Sequence, residues 1–172
     1  MTVEDEVAFA LENMGLPRDE IEERVEWALG VVGLSNKRDE FPPNLSGGEK
    51  QRLAIASVLA MKPPVIAMDE PTSQLDPMGK RDVERVILKL RREGITVVIV
   101  EHDSRFLFKN ADRLIVFDGG RILLQGTPRE VGARVDELVD LGIKVPMSLL
   151  LSHRLGLSPV FSPEDFPSRV SL

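Results

Sequence analysis

The sequence predicts an α/β fold with a parallel sheet, together with an α-helical subdomain near the start of the chain. From residue 44 onward, helical and strand patterns alternate, which is typical of a parallel sheet joined by helices. Two short apolar runs, residues 65–68 and 95–100, have the length expected of strands that are buried on both faces. Residues 1–33, by contrast, place their apolar side chains at helical spacing.

Composition excludes several classes of protein. The 172 residues include 28 Asp and Glu against 22 Lys and Arg, and the net charge of −6 argues against a broad nucleic-acid-binding surface. The absence of cysteine excludes disulfides, thiol catalysis and zinc–cysteine sites. No run approaches the roughly 18 apolar residues of a membrane-spanning helix. The acidic first residues do not resemble a secretory signal, so a cytoplasmic protein with at most a peripheral membrane role is expected.

Two helices are predicted in the first segment. The first is capped by Thr2 and Asp5 and ends at Gly15, and the second begins at Pro17 and ends at Gly33. Glutamates cover the other face of the second helix, which indicates a solvated surface or, alternatively, a docking face for a basic partner. The predicted apolar stripes are Val3, Val7, Ala10, Leu11 and Met14, then Ile21, Val25, Ala28, Leu29 and Val32.

Helices and strands then alternate. A helix over residues 47–60 precedes the strand at 65–68, and a helix that starts at Asp76 and Pro77 precedes the strand at 95–100. Residues 113–117 and 121–124 predict two strands joined by a tight turn, and Thr127 predicts the cap of a further helix. The predicted segments are a helical subdomain (1–43), an α/β core (44–128) and a carboxyl-terminal helical extension (129–172).

One candidate site lies where a loop enters the helix at residue 47. Ser46, Gly47 and Gly48 would present backbone N–H groups, a hydroxyl and the positive end of the helix dipole, a combination that binds anions such as phosphate. A structural explanation competes with this one. Ser46 and Glu49 satisfy the capping-box pattern, which needs no ligand.

A second candidate site follows the strand at residues 65–68. Asp69 and Glu70 would lie at the carboxyl edge of the sheet, where α/β proteins bind ligands. Asp69 is a candidate magnesium ligand and Glu70 a candidate base for water attack on phosphorus, although an acidic pair before Pro71 could also simply open a turn. Asp76 serves at least as a helix cap, and His102 is a candidate at the same edge, where a surface role is the alternative.

Four segments in series resemble the ATP-binding subunits of ABC transporters. They are Leu45-Ser46-Gly47-Gly48-Glu49-Lys50-Gln51-Arg52, Asp69-Glu70-Pro71-Thr72, Ser73-Gln74-Leu75-Asp76 and Glu101-His102-Asp103. This resemblance implies a P-loop NTPase-like sheet, ATP and Mg²⁺ as cofactors, and a dimer of ATP-binding subunits. It also implies a role for each site residue: Ser46, Gly47 and Gly48 meet the γ-phosphate of ATP on the opposite subunit, Asp69 holds magnesium, Glu70 is the general base, Asp76 belongs to the D-loop and His102 senses the γ-phosphate.

Within that family, the start of the chain and its Leu- and Pro-rich end resemble the energy-coupling-factor or cobalt-type branch, which energises uptake of vitamins and metal ions. The resemblance implies transmembrane partner subunits, a homo- or heterodimer, and a peripheral place on the cytoplasmic face of the cell membrane. Two residues depart from the usual pattern: Glu49 stands where Gln is commonest in the signature, and Gln74 stands where the D-loop usually has Ala.

The chain contains no Gly-x-x-x-x-Gly-Lys-Ser/Thr segment, the P-loop that cradles the β- and γ-phosphates. We therefore expect the resemblance to cover only the carboxyl-terminal part of a subunit, with a sheet that lacks the P-loop strand, shows apolar edges, and needs a separate P-loop-containing half for activity. Two other functions stay open. They are a DNA-associated chromosome-maintenance or repair ATPase, and a non-catalytic interaction protein.

Overall fold

In a computed structural model that describes residues 1–165, the chain forms two compact units, Met1–Glu101 and His102–Leu172. The boundaries predicted after residues 43 and 128 differ from this division into compact units, and they stay predictions.

The first unit contains four helices and two strands, close to the predicted positions. Short 3₁₀ turns, Ser35–Lys37 and Pro42–Asn44, separate the helical segment from the rest. The helices are α1 (Val3–Asn13), α2 (Arg18–Val32), α3 (Gly47–Leu59) and α4 (Pro77–Arg92), and the strands are β1 (Val65–Asp69) and β2 (Thr96–Val100).

The two strands of the first unit run parallel, as predicted, with Val65 opposite Thr96 and Asp69 opposite Val100. Helix α4 buries its predicted apolar stripe, and Ile66 and Met68 are buried on one face of β1. The helix therefore returns the chain from the end of one strand to the start of the next, as a parallel pair requires. The buried stripe of α4 is Val83, Val86, Ile87 and Leu90.

Apolar side chains of this strand pair are also exposed. Val98 and Val100 have 52% and 59% of their surface exposed, and Val65 on the neighbouring strand has 52%. Among the described residues, β2 pairs with β1 alone. A bare apolar edge was expected at residues 95–100 and at residues 113–117. Val65, Val98 and Val100 alternate with less exposed residues along their strands, so they mark an exposed face of the pair rather than its edge.

Cationic side chains from two other helices close the carboxyl end of α2. Gly33 ends that helix in the left-handed conformation, with φ 71°. The Nη1 of Arg52 on α3 donates to the carbonyl of Val32 (3.0 Å), and the Nζ of Lys89 on α4 donates to the carbonyl of Gly30 (3.1 Å). Positive charge is favourable at this end of a helix, where unpaired carbonyls carry the negative pole of the helix dipole.

Within residues 102–165, the second unit has five helical segments and an antiparallel strand pair around its own core. The pair includes a register shift between Val116 and Phe117. The elements are α5 (Ser104–Asn110), β3 (Leu114–Asp118), β4 (Arg121–Gly126), α6 (Pro128–Gly132), α7 (Val135–Asp140), α8 (Met147–Arg154) and the 3₁₀ turn Pro163–Asp165. The core residues are Phe108, Leu114, Leu124, Val131, Val135, Leu138 and Leu149.

No element was predicted over the residues of α5. Asp103 caps it by accepting from the backbone N–H of Arg105 (3.1 Å), and Phe106 and Phe108 are buried. Phe108 also stacks on Phe161, with ring centroids 5.5 Å apart. At seven residues, the helix is too short to show a clear apolar period, so its formation depends on this packing.

Candidate functional site

The predicted anion-binding loop lies at the amino end of α3 and forms a complete capping box. The Glu49 carboxylate accepts from the backbone N–H of Ser46 (2.8 Å), and the Ser46 hydroxyl oxygen accepts from the backbone N–H of Glu49 (3.3 Å). Neither bond uses the N–H groups of Gly47 and Gly48, which belong to the first turn and have no intrahelical acceptor. Ser46 and Gly47 are exposed. The structural and the anion-binding explanations are therefore compatible, because the cap leaves two donors and the serine O–H for a ligand.

These capping bonds also set the charge of Glu49. Hydrogen bonds from the backbone and side chain of Ser46 are the main reason why the pKa of Glu49 is lowered, and Lys37 and Arg52 add smaller contributions. The carboxylate is thus held in its ionised, acceptor form. It stands at the place where glutamine is commonest in the signature that this segment resembles.

A pair of glycines brings this loop close to the start of α4. A Cβ atom placed on Gly48 would lie 2.9 Å from the Cα of Gly79, and one placed on Gly47 would lie 3.7 Å from the Cδ2 of Leu75. Two backbones can approach this closely only where side chains are missing. The structure therefore brings together two candidate segments that are separate in the sequence, the Ser46-Gly47-Gly48 loop and the D-loop-like segment that ends at Asp76.

The carboxylate of Asp76 has the structural role predicted for it. Its Oδ1 accepts from the backbone N–H of Gly79 at 2.6 Å, which caps α4 ahead of Pro77. Gly79 is a site residue that the sequence analysis missed. It carries no chemistry of its own, and its importance depends on a non-local contact with Gly48.

Asp69 and Glu70 lie at the carboxyl end of β1, as predicted. Asp69 is exposed, and Glu70 is half-buried with a left-handed backbone at φ 45°. This conformation is rare for a residue other than glycine and costs on the order of 1–2 kcal/mol. The backbone N–H of Glu70 donates to the carbonyl of Val100 (2.8 Å), so the last residue of β2 holds the residue that follows β1.

Thr72 and Glu101 form a second link across the same edge. Thr72 is 4% exposed, and both its backbone N–H (3.1 Å) and its hydroxyl donate to the Oε1 of Glu101. Both residues belong to the segments that carry the resemblance, but no role was predicted for either, because only the register of β1 on β2 shows that they meet.

His102 begins the second unit and is exposed. Its carbonyl accepts from the backbone N–H of Ser104 (3.0 Å), in the turn that leads into α5. Because His102 and the other candidate residues fall in different units, its predicted role toward a phosphate stays a prediction.

No group of three or more His, Asp or Glu side chains that could hold a metal ion occurs within residues 1–165. Magnesium does not need such a cage, since it commonly binds through one or two carboxylates together with waters and substrate phosphates. The exposed carboxylate of Asp69 is compatible with that mode of binding. None of the helices in this part of the chain is long and apolar enough to cross a membrane.

Comparisons with known proteins agree with the resemblance found in the sequence. The family model described as ABC transporter matches residues 1–73. A Pyrococcus abyssi protein named as an ABC transporter ATP-binding protein is 54% identical over 156 residues, covering 90% of this chain and 56% of that protein. The energy-coupling factor transporter ATP-binding protein EcfA1 of Caldanaerobacter subterraneus is 48% identical over 165 residues, covering 95% of this chain and 59% of that protein.

A solved structure is also similar to this chain. The cbiO1 protein of Clostridium perfringens, described as part of the ABC transporter complex cbiONQ, matches with a TM-score of 0.73 and 38% identity. The match covers 88% of this chain and 61% of that chain. The chain thus spans somewhat more than half the length of the relatives that it matches.

Proposed function

Because this chain is homologous to the ATP-binding subunits of ABC transporters, those of the energy-coupling-factor type included, we propose that it supplies part of the machinery by which such a subunit couples ATP hydrolysis to substrate uptake. The part comprises the signature loop that contains Ser46, Gly47 and Gly48, the strand that ends at Asp69 (Walker B), the D-loop that ends at Asp76, and the segment around His102 (the H-loop). The observation that carries the proposal is the contact of Gly48 with Gly79, which holds the signature loop beside the helix that follows the D-loop.

At the signature loop, Ser46, Gly47 and Gly48 would bind the γ-phosphate of ATP held by a second ATP-binding subunit. The capping box supports this role because it fixes the Ser46 oxygen as an acceptor from Glu49 N–H, which leaves the serine O–H to donate to a phosphate oxygen. The dipole of α3 favours the same negative charge. Asp76, at the end of the D-loop, would lie at the boundary between the two subunits.

At the sheet edge, Glu70 would accept a proton from the attacking water, and Asp69 would hold Mg²⁺. Bound Mg²⁺ would neutralise the charge of the phosphates during phosphoryl transfer. His102 would sense the γ-phosphate. The half-buried position of Glu70 beside the exposed Asp69 supports this division, since a base needs a fixed direction and a metal ligand needs access to solvent.

The proposed partners are transmembrane transporter subunits, a second ATP-binding subunit identical to or different from this one, and a P-loop-containing amino-terminal half. The proposed location is the cytoplasmic face of the membrane, with the helical segment 1–43 toward the transmembrane subunits. Vitamins or metal ions are the proposed substrate class. No role for nucleic acid is proposed.

Replacing the proposed base tests the function directly. In an assembly of this chain with a P-loop-containing half, we expect Glu70→Gln to keep ATP binding and to lower turnover by about a hundredfold or more, because proton transfer to a positioned base is lost. Glu93→Gln, at the exposed end of α4, is the matched control and should keep normal turnover. Near-normal turnover of Glu70→Gln would contradict the assignment.

The 172-residue chain without that half is expected to bind ATP weakly and to show no ATPase activity above background. Positioning and charge stabilisation by a P-loop carry most of phosphoryl transfer, and the chain contains no such motif. Isothermal calorimetry checks the binding. Micromolar affinity of the chain alone would show a phosphate site outside the residues discussed above.

A further inference from the structure

The carboxylate of Glu101 reaches from the end of β2 to the loop that follows the proposed base. Its Oε1 accepts two hydrogen bonds from one residue, Thr72, through the backbone N–H (3.1 Å) and through the hydroxyl. Thr72 is buried, so these bonds are shielded from water. Hydrogen bonds to a charged acceptor contribute more than neutral ones, and leaving a buried donor without its acceptor is costly.

The loop that Glu101 holds has a strained start. Glu70 adopts φ 45° immediately before Pro71, although a residue before proline is already restricted in conformation. Such a conformation persists only where neighbouring contacts enforce it. The loop supplies two weak ones of its own, from Ser73 N–H to the Glu70 carbonyl and from Leu75 N–H to the Thr72 carbonyl, each 3.2 Å.

The stronger restraints on this loop come from β2. Val100 accepts from the Glu70 backbone N–H (2.8 Å), and Glu101, the next residue, accepts from Thr72 two positions further along the loop. Val100, the last residue of β2, and Glu101, which follows it, therefore hold the two loop positions that bracket Pro71. Such a pair of restraints fixes both the place and the direction of the backbone between them.

We propose that Glu101 is a positioning residue for Glu70, holding Thr72 so that the strained backbone after β1 aims the Glu70 carboxylate at its water. The proposal rests on the proposed function, because it takes Glu70 to be the base. Both Thr72 donors use a single oxygen of Glu101, so an amide oxygen at that place can replace the carboxylate oxygen and a methyl group cannot.

The first test measures the hydrogen bonds between Thr72 and Glu101 without relying on ATPase activity. Amide hydrogen exchange of residues 70–75 in the 172-residue chain should accelerate by about tenfold in Glu101→Ala, because one restraint on the Thr72 N–H is lost. Glu101→Gln should exchange as the wild type does, and so should Glu93→Ala, an exposed glutamate that serves as the control. Unchanged exchange in Glu101→Ala would overturn the proposal.

The second test measures catalysis in the assembly with a P-loop-containing half. Glu101→Ala should lower kcat for ATP by about tenfold to a hundredfold with little change in KM, since misplacing a catalytic group costs turnover rather than binding. Glu101→Gln should restore most of kcat. A role confined to stability would change neither parameter in the fraction that remains folded, so an unchanged kcat in Glu101→Ala would also overturn the proposal.

A double-mutant cycle separates this contact from other effects of Glu101. Thr72→Val removes the hydroxyl, and Thr72→Ser keeps it. The fold loss of kcat in the double variant Thr72→Val, Glu101→Ala should be much smaller than the product of the fold losses in the two single variants. Fully multiplicative losses would show that the two residues act separately and would overturn the proposal. If the wild-type assembly has no ATPase activity, the proposed function fails. The hydrogen-exchange experiment still decides whether Glu101 restrains the loop at Thr72.

Discussion

The amino ends of α3, at Ser46, and of α6, at Thr127, both form a capping box. They differ in what packs against the first turn of the helix. The backbone N–H of Ser46 donates to Glu49 and that of Thr127 donates to Glu130, both at 2.8 Å. The return bonds to the two hydroxyl oxygens are both 3.3 Å. The caps of α3 and α6 share these backbone bonds, and at α6 the Thr127 hydroxyl also donates to the Glu130 carboxylate (2.9 Å).

The two residues that follow each capping residue distinguish the amino end of α3 from that of α6. At α3 they are Gly47 and Gly48, which allow the backbone of Gly79 to approach, whereas at α6 they are Pro128 and the exposed Arg129. Because proline has no N–H, the first turn of α6 offers a ligand one backbone donor fewer than that of α3. A capping box therefore indicates where a helix begins, while the residues inside the first turn indicate whether that beginning can also bind.

The largest expected difference between the two starts comes from the second helical position. Gly48→Ala would place a Cβ 2.9 Å from the Cα of Gly79, so the two helices must separate. We expect the free energy of unfolding to fall by about 1–3 kcal/mol and the ATPase activity of the assembly to fall at least about tenfold. Urea denaturation and steady-state ATPase assays measure the two effects.

Arg129→Ala is the matched change at α6 and should alter stability by less than about 0.5 kcal/mol. Gly47→Ala gives an intermediate case, since its Cβ would make an ordinary 3.7 Å contact with Leu75 and should be tolerated in folding. If Gly48→Ala has the stability and turnover of the wild type, the close approach of α3 and α4 is needed neither for folding nor for ATPase activity.

A smaller effect is expected from removing each capping hydroxyl. Ser46→Ala and Thr127→Ala should each cost about 1 kcal/mol of stability, because each loses the acceptor for one N–H of the first turn. Only Ser46→Ala should also lower the ATPase activity of the assembly, by roughly tenfold, through loss of one hydrogen bond to phosphate. Equal ATPase activities in the two variants would leave Ser46 with a structural role alone.

The smallest effect is on the pH dependence of stability, and here the two starts should behave alike. Hydrogen bonds from the capping residues lower the pKa of Glu49 and of Glu130 in the folded protein. A lowered pKa contributes stability above the unfolded pKa of about 4.3, and that contribution is lost as the pH falls through the folded value. Stability should therefore decline below about pH 5, and Glu49→Gln and Glu130→Gln should each flatten the decline slightly. Denaturation of the wild type and the two variants between pH 7 and pH 3 measures the pH dependence of the free energy of unfolding. The same dependence in all three proteins would show that the caps do not depend on charge.

Local signals in the sequence predicted most of the secondary structure. Caps, glycine stops and apolar periodicity are properties of neighbouring residues, and they placed α1 to α4 and all four strands within a few residues of their observed bounds. The positions of Asp69 and Glu70 at the end of β1 were predicted for the same reason. The seven-residue helix α5 was missed because it depends on burial of Phe106 and Phe108 rather than on its own pattern.

The contacts that shape the candidate site could not be predicted in this way. Gly48 meets Gly79, and Thr72 meets Glu101, only because of how helices cross and how β1 is aligned on β2. The sequence gives the order of such residues along the chain but not which pairs of them are in contact. The left-handed backbone of Glu70 was likewise unforeseen, because its strain is sustained by the neighbouring strand.

The cation-closed end of α2 has a mechanical consequence. Arg52 holds the carbonyl of Val32 and also lies 3.8 Å from the carboxylate of Asp82 on α4, while Lys89 holds the carbonyl of Gly30. Twisting α2 about its axis would strain both carbonyl bonds at once, so α2, α3 and α4 resist independent rotation at this point. The carboxyl end of α2 is thus tied both to α3, the helix that begins at Ser46, and to α4, so a displacement of that end would stretch hydrogen bonds to both helices at once.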